Sequence, residues 1–462
     1  MNFFPVFWYF LLSSGLYFFI THYEAFFNEV EISKFIENSI FKIFWILPFY
    51  IINELIFCLL IRESRKTSEN FLPKNFEEQK KTLKETHIII PTFNVNWEDI
   101  RDKIFQLRML FDDRIWIADN ANKLEENSIL KEMCENYNIQ YRYFNIANKT
   151  NAINNVLHMV KKCSPLTKYV ILLDDDTNLP SSFFLRNDIF EDPTIAGYCC
   201  NIEINKSPTF NFWENWIDFE YKTISFRNHS RNFHTLRFLH GIISVYRLDA
   251  AIEIFRWNPC NKYGLPFGED AFAGIQARTI GYKLAQDSLN TVSTYCPKQL
   301  FNFNSATRSG YNATSLFKQR ALRWYLSWTR RIFHEFALCL FYDVGTWYGN
   351  IIHRLDFVYY MFLLIVSVGW IYYLLYLLVF HQTLLPFLFL HLAFFGMTIG
   401  LGYFRCFFMD EKEKSKLEHV TIITFPVFLL TLLYLYAVSF LISIFYYIPF
   451  VRIDYKKCIA RR

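Results

Sequence analysis

The sequence predicts an α/β domain with a largely parallel sheet, set between transmembrane helices, and three observations predict it. Apolar stretches long enough to span a bilayer gather at both ends: Phe3–Ile20 and Ile40–Ile61 first, then Leu355–Phe380, Leu384–Phe408 and Val420–Phe450. Between Arg62 and about His353 charge returns and no long span occurs. Within that centre, short β-branched runs alternate with helical stretches, the pattern of strands joined by crossover helices. The expected layout is two transmembrane helices (1–62), a linker (63–86), an α/β domain (87–330), a membrane-interface helix (331–354), three transmembrane helices (355–450) and a basic tail (451–462).

Composition supports the flanking spans. Of the 462 residues 53% are hydrophobic and 20% aromatic, with 52 Phe against 14 Gly, which excludes an ordinary soluble protein of this length. The first span has neither a basic segment before it nor a small-residue cleavage site after it, so it reads as a retained anchor. Arg62, Arg65 and Lys66 follow the second span, and the positive-inside rule then puts the centre and the N-terminus in the cytosol. Ten scattered cysteines without a CxxC point to reduced thiols, not to a disulfide framework or a zinc site. The sequons at Asn148, Asn228 and Asn312 would then never be glycosylated. A net charge of +5, with basic residues near the spans, suits an anionic leaflet and no nucleic acid. Three C-terminal spans place the tail Lys456–Arg462 outside, against its charge; either the tail is an exception or Ile332–Ile352 enters the membrane. A membrane-surface helix over that stretch is the favoured reading.

Along the chain, Lys66–Lys84 is charged and broken by Pro73, as a linker is. His87–Pro91 is a buried strand ending in a turn, and Glu98–Phe111 a helix. Arg114–Asp119 is a second strand with an acid at its end. A helix over Glu125–Tyr137 leads to a third strand, Gln140–Phe144. In a parallel sheet, ligands sit beyond the carboxyl ends of the strands, where Asp119 lies. Asn148–Asn154 runs into a helix through about Lys161, and Lys149 at its start is as easily a solvated lysine as a phosphate ligand. Tyr169–Leu173 is a buried strand that delivers Asp174, Asp175 and Asp176 together. Carboxylates that close repel, so a cation should compensate them, and a divalent metal carrying a diphosphate is the natural candidate. In an extended segment Asp174 and Asp176 point the same way, as a DxD pair; the plain alternative is an acidic turn before Pro180. Phe238–Arg247 is a strand opened by Gly241, where backbone can approach a ligand. Gly268-Glu269-Asp270 begins a helix running to Ile280, where acids often serve only as caps.

About 50 residues later Gln319-Arg320-Ala321-Leu322-Arg323-Trp324 reads as QxxRW. On a helix Gln319 and Arg323 share one face beside an indole. A guanidinium offers paired donors to phosphate, and an indole offers a flat surface to a pyranose. Alone, the hexapeptide reads equally as an interfacial helix with Arg toward lipid headgroups.

Taken in order, Pro91-Thr92-Phe93-Asn94, Asp119, Lys149, Asp174-x-Asp176, Gly241–Arg247, Glu269-Asp270 and Gln319–Trp324 resemble the membrane-embedded family 2 glycosyltransferases, the processive synthases of hyaluronan, chitin and cellulose. The resemblance covers about residues 87 to 330. It implies a GT-A type nucleotide-sugar domain with a mixed, mostly parallel sheet, and inverting transfer from a UDP-sugar to a growing β-linked polysaccharide. By the same resemblance Asp119, Lys149, Asp174, Gln319 and Arg323 bind the nucleotide-sugar. Gly241, Glu269 and Trp324 face the acceptor, Asp270 is the general base, and Asp176 holds Mn2+ or Mg2+. The bilayer would be a partner, and the plasma membrane the expected location. This chain departs from the family pattern at Asp119-Asn120-Ala121-Asn122, at Asn148 before Lys149, and at Gly268 where Thr often stands; the charged groups all remain. Two other readings stand beside this one. A single sugar transfer to a membrane lipid, as in ceramide glucosyltransferases, would use a similar motif. A transporter or scaffold would need more intramembrane polar residues than Asn53, Glu54 and Arg405.

Overall fold

A computed structural model describes residues 83–301, except 94, 96, 121–126, 146–147, 233–234 and 259–267, then 315–358 and a few isolated positions outside these ranges. The five expected spans, apart from their edges and those isolated positions, lie outside the described residues, as do most of the linker and all of the basic tail. Among the described residues no helix is long and apolar enough to cross a membrane.

The domain opens as the sequence predicts. Strand β1 (Thr86–Thr92) leads through helix α1 (Trp97–Phe111) to β2 (Ile115–Asp119), then through α2 (Ser128–Asn136) to β3 (Gln140–Tyr143) and through α3 (Lys149–Cys163) to β4 (Tyr169–Leu173). Strands β1, β2, β3 and β4 pair in parallel, in the order β3-β2-β1-β4. Every residue of β1 and β2 is buried. Successive side chains alternate between faces: Ile88 and Ile90 join a core with Ile100, Ile104 and Leu107 of α1, whereas Ile89 packs with Ile153, Val156 and Leu157 of α3. A sheet covered on both sides explains why these strands read as continuous apolar runs.

Beyond β4 the sheet turns mixed. The remaining elements are β5 (Thr177–Asn178), a 3₁₀ turn (Ile189–Glu191), β6 (Ile195–Ile204), α4 (Phe212–Arg231), β7 (Ile243–Arg247), α5 (Leu248–Arg256), α6 (Glu269–Thr279) and β8 (Lys283–Thr294). Strand β7 lies antiparallel to both β4 and β6, β6 parallel to β8, and β5 antiparallel to β8. The full order is β3-β2-β1-β4-β7-β6-β8-β5. After β8 come a single turn α7 (Leu316–Gln319), a π-helical turn (Arg320–Tyr325) and α8 (Leu326–Phe341). The expected interface helix over 331–354 is not continuous. Helix α8 stops at Tyr342, Gly345 takes a left-handed φ of 90°, and a second helix runs from 347 to 358.

Candidate active site

The carboxyl ends of β1, β2 and β4 share one edge of the sheet, because the three strands are parallel and adjacent in register. Thr92 pairs with Asp119 there, and Asp174 follows β4 directly. Asp119 and Asp174 are thus two strand spacings apart, about 10 Å. Asp119 is buried and its carboxylate accepts a hydrogen bond of 2.7 Å from the Tyr141 hydroxyl.

Asp174, Lys149, Glu269 and Asp270 come together in one small cleft, which Gly241 and Ser244 also line. Lys149 is the first residue of α3, whose N-terminus is fixed by the Asn148 side chain accepting from the Asn151 amide at 3.1 Å. That cap is the departure from the family pattern noted above, and it aims Lys149 between two acids. The ammonium donates to Asp174 Oδ1 at 2.6 Å and lies 2.9 Å from Glu269 Oε1. Burial works against the charge on Lys149, but the two carboxylates outweigh it and raise its pKa.

The two neighbouring acids titrate apart. Burial alone would raise Glu269, yet Lys149, by charge and by hydrogen bond, holds it down at about 2. Asp270 is pushed up to about 6, first by burial and then by the charge of Glu269, against the pull of Arg331 and Lys149. Paired groups with separated pKa values mark acid–base assignments. Asp270 is the one poised to exchange a proton near neutral pH. Gly241 faces it: a Cβ there would lie 3.5 Å from Asp270 Oδ2. Gly241 does not open the strand as expected; it lies in the turn before Ile243, where Asp174 N donates to Ile242 O at 3.0 Å.

Gly268 starts α6 with φ of 87°, a left-handed conformation, and a Cβ at that position would meet Ser327 Oγ at 1.9 Å. Glycine instead of the usual Thr is therefore required by how closely α8 packs on this turn.

The DxD segment is not extended as expected. It is a tight turn closed by Thr177 N donating to Asp174 O at 3.1 Å. Lys103, buried on α1, donates to the backbone carbonyl of Asp174 at 3.1 Å and to that of Asp175. With the turn closed, Asp174 reaches Lys149, while Asp176 accepts from the Thr177 and Thr294 hydroxyls at 3.2 Å each. Burial and then the charges of Asp175 and Asp174 push Asp176 up to about 8. Among the described residues no three His, Cys, Asp or Glu side chains close on one point as a metal cage. The three partly exposed carboxylates of this turn, Asp174, Asp175 and Asp176, nevertheless make a donor set that a divalent cation would satisfy, with substrate oxygens and water filling the rest of its shell.

The QxxRW residues are placed differently from an α-helical face. Gln319 ends α7 and is buried, and Arg323 lies in the π-helical turn, close enough to Glu269 to help lower its pKa. The guanidinium of Arg320 sits 3.7 Å from the centre of the Trp324 ring. Sequence reasoning missed Lys103, Tyr141, Glu220 and Arg320. Lys103 did leave a signal, since it falls on the apolar stripe of α1 beside Ile100, Ile104 and Leu107.

A mixed sheet with acids, a lysine and a glycine turn at its parallel edge defines a GT-A-like nucleotide-sugar domain. Residues 87–255 match the family model described as Glycosyl transferase family 2, so the chain carries a domain of that family, and this domain is a glycosyltransferase domain. The match ends before α6, so Glu269, Asp270 and the QxxRW turn lie beyond it. Among solved structures, the chain is similar to GalNAc-T7 crystallised with UDP, GalNAc and Mn2+, at 13% identity over 59% of this chain and 54% of that one, with a TM-score of 0.35. It is also similar to S. aureus TarS, at 11% identity over 59% of this chain and 43% of that one, with a TM-score of 0.36. The chain thus spans about half the length of these proteins, and the likeness is too slight to carry activity across. No curated protein matches it.

Proposed function

We propose that the protein is a membrane-embedded processive glycosyltransferase, transferring a sugar with inversion from a UDP-sugar to a β-linked polysaccharide that it extrudes. The observation that carries this reading is the convergence of Lys149, Asp174, Glu269 and Asp270 in one cleft on the edge of a family 2 domain. On this reading Lys149 and Asp174 hold the nucleotide-sugar, with Asp119 at the base, and Gln319 and Arg323 approach the diphosphate. Asp270 takes the proton from an acceptor hydroxyl as that oxygen bonds to the anomeric carbon. The bond from that carbon to the diphosphate breaks on the opposite face, and UDP leaves with the electron pair. Glu269, pinned by Lys149, stays ionised and keeps Asp270 basic. Asp176 would hold Mn2+ or Mg2+, whose chemistry when bound is to stabilise charge on the departing diphosphate. Gly241 leaves room beside Asp270 for the acceptor, and Trp324 stacks against its sugar.

The acid-rich cleft fits transfer to a membrane lipid as well, and the apolar segments at both ends of the chain favour either acceptor over a soluble one. Purified full-length protein incubated with individual UDP-sugars should release UDP with one of them and yield a glycosidase-sensitive polymer. No UDP release with any donor would overturn the assignment.

A further inference from the structure

Glu220 lies on α4, far in sequence from the catalytic motifs, yet it is 3% exposed and carries a charge. Its partner is Arg320 of the π-helical turn, fully buried, whose Nε donates to Glu220 Oε2 at 2.6 Å. The Tyr325 hydroxyl donates to the other oxygen, Glu220 Oε1, at 2.9 Å. Arg320 Nη1 donates in turn to the side-chain oxygen of Gln319. The guanidinium carbon lies 3.7 Å from the Trp324 ring centre, and the Tyr221 ring meets that indole edge-on at 6.1 Å. A buried ion pair repays little net stability after its desolvation cost, so its use is better sought in geometry. A guanidinium is a rigid fork: with two edges fixed by Glu220 and Gln319, its position is fixed too, and the indole packed against it follows. The π turn frees backbone groups, and the Ser439 hydroxyl lies 2.7 Å from Ala321 O and equally near Leu435 O of its own helix, so it packs on the turn from a second side.

We propose that Glu220 is a positioning residue of the QxxRW turn. Through Arg320 it sets the position of Trp324, and so the wall against which the acceptor sugar lies. This rests on the reading of Trp324 as the acceptor's platform, and the test separates the two. In detergent-solubilised full-length protein without ligand, acrylamide quenching due to Trp324 is taken as the difference between each variant and the same variant carrying Trp324→Phe. Glu220→Gln should raise that difference, because a neutral amide no longer fixes the guanidinium. Arg320→Lys, which keeps the charge and loses the fork, should do the same and serves if Glu220→Gln fails to fold. With a UDP-sugar, both variants should lose transfer to acceptor by up to about 10²-fold, a loss well beyond the smaller change in acceptor-independent donor hydrolysis and donor KM that the Arg320–Gln319 contact would convey. Glu220→Asp should recover part of the transfer. Unchanged quenching in both variants overturns the proposal whether or not any UDP-sugar is turned over. Increased quenching with hydrolysis and transfer falling together overturns it also, since that is the mark of a merely structural pair. If wild type turns over no UDP-sugar, the functional reading fails, and the quenching alone decides the role of Glu220.

Discussion

Glu269 and Asp270 are sequence neighbours with the same charge, and what separates them is Lys149, which reaches one and not the other. Asp270→Asn should therefore abolish transfer by about 10²-fold or more with donor binding nearly intact, because the base acts on the acceptor. Wild-type transfer should fall as pH drops through about 6, where Asp270 takes up its proton. Stability should move the opposite way. An acid whose folded pKa is raised binds its proton more tightly in the native state, so ionising it penalises the fold progressively from the unfolded value of 3.8 up to about 6. Asp270→Asn removes that penalty while its side-chain oxygen can still accept from Ala271 N, so its Tm should exceed wild type at pH 7 and converge with it near pH 4. A constant offset across that range would show that Asp270 carries no raised pKa. Asp176→Ala should abolish Mn2+- or Mg2+-dependent UDP binding, and exhaustive chelation of wild type should reproduce the loss. Undiminished turnover after chelation would remove the metal from the scheme. Gly268→Ala combines a left-handed backbone with a collision against Ser327, so it should cost at least about 1–3 kcal/mol in a denaturant titration.

Helix α6 carries the proposed base and α8 continues from the π turn, and a buried pair joins the two helices. Arg278 Nη1 and Nη2 donate to Glu335 Oε2 and Oε1 at 2.9 and 2.6 Å, with both side chains almost wholly buried. Glu335→Ala leaves the guanidinium buried and uncompensated, which should destabilise the domain by about 3–5 kcal/mol. A denaturation midpoint at the wild-type value would mean that α8 shifts to admit water. Elements such as these divide according to what the sequence could reveal. Strands β1, β2 and β4 were legible because each is a β-branched or apolar run ending at a turn, and burial on both faces makes such runs continuous. Strand β6, with Gly197, Cys199, Cys200 and Asn201, has no such run, and β8 sets the polar Gln286, Asp287 and Asn290 in buried positions that an apolar pattern does not mark. Helix α4 hides for a related reason. Asp218 and Glu220 interrupt its apolar face, and their partners Lys206, Lys222 and Arg320 are supplied by other turns or elements. The acids and lysine of the site were named from sequence, whereas Lys103, which braces the acidic turn, and Glu220, which pairs with the π turn, depend on contacts with Asp174 and Arg320 across 71 and 100 residues.

For the whole molecule, the question is where the sugar goes after it leaves the nucleotide. The cleft is lined by the start of α3, the end of β4, the Gly241 turn and the start of α6, and the chain continues beyond α8 into the apolar segments past 358. Ser439 joins one of those segments to the π turn through Ala321, so the platform that would meet the acceptor is tied to the part of the chain expected in the bilayer. An acceptor arriving from that side is either a polymer end or a lipid headgroup, and one substitution distinguishes them. Losing the indole in Trp324→Ala should cost about 1 kcal/mol or more wherever a sugar stacks on it. For a polymerase that cost recurs at every addition, so the product shortens and elongation slows while donor hydrolysis persists. For a single transfer to lipid the first sugar has no sugar before it to stack, so the rate should change little and the product length not at all. The measurement is the size distribution of radiolabelled product, partitioned between water and organic solvent, for wild type and Trp324→Ala. A water-borne polymer that becomes shorter in the variant supports processive synthesis. A single glycolipid extracted into organic solvent from both proteins would replace that reading with lipid glycosylation.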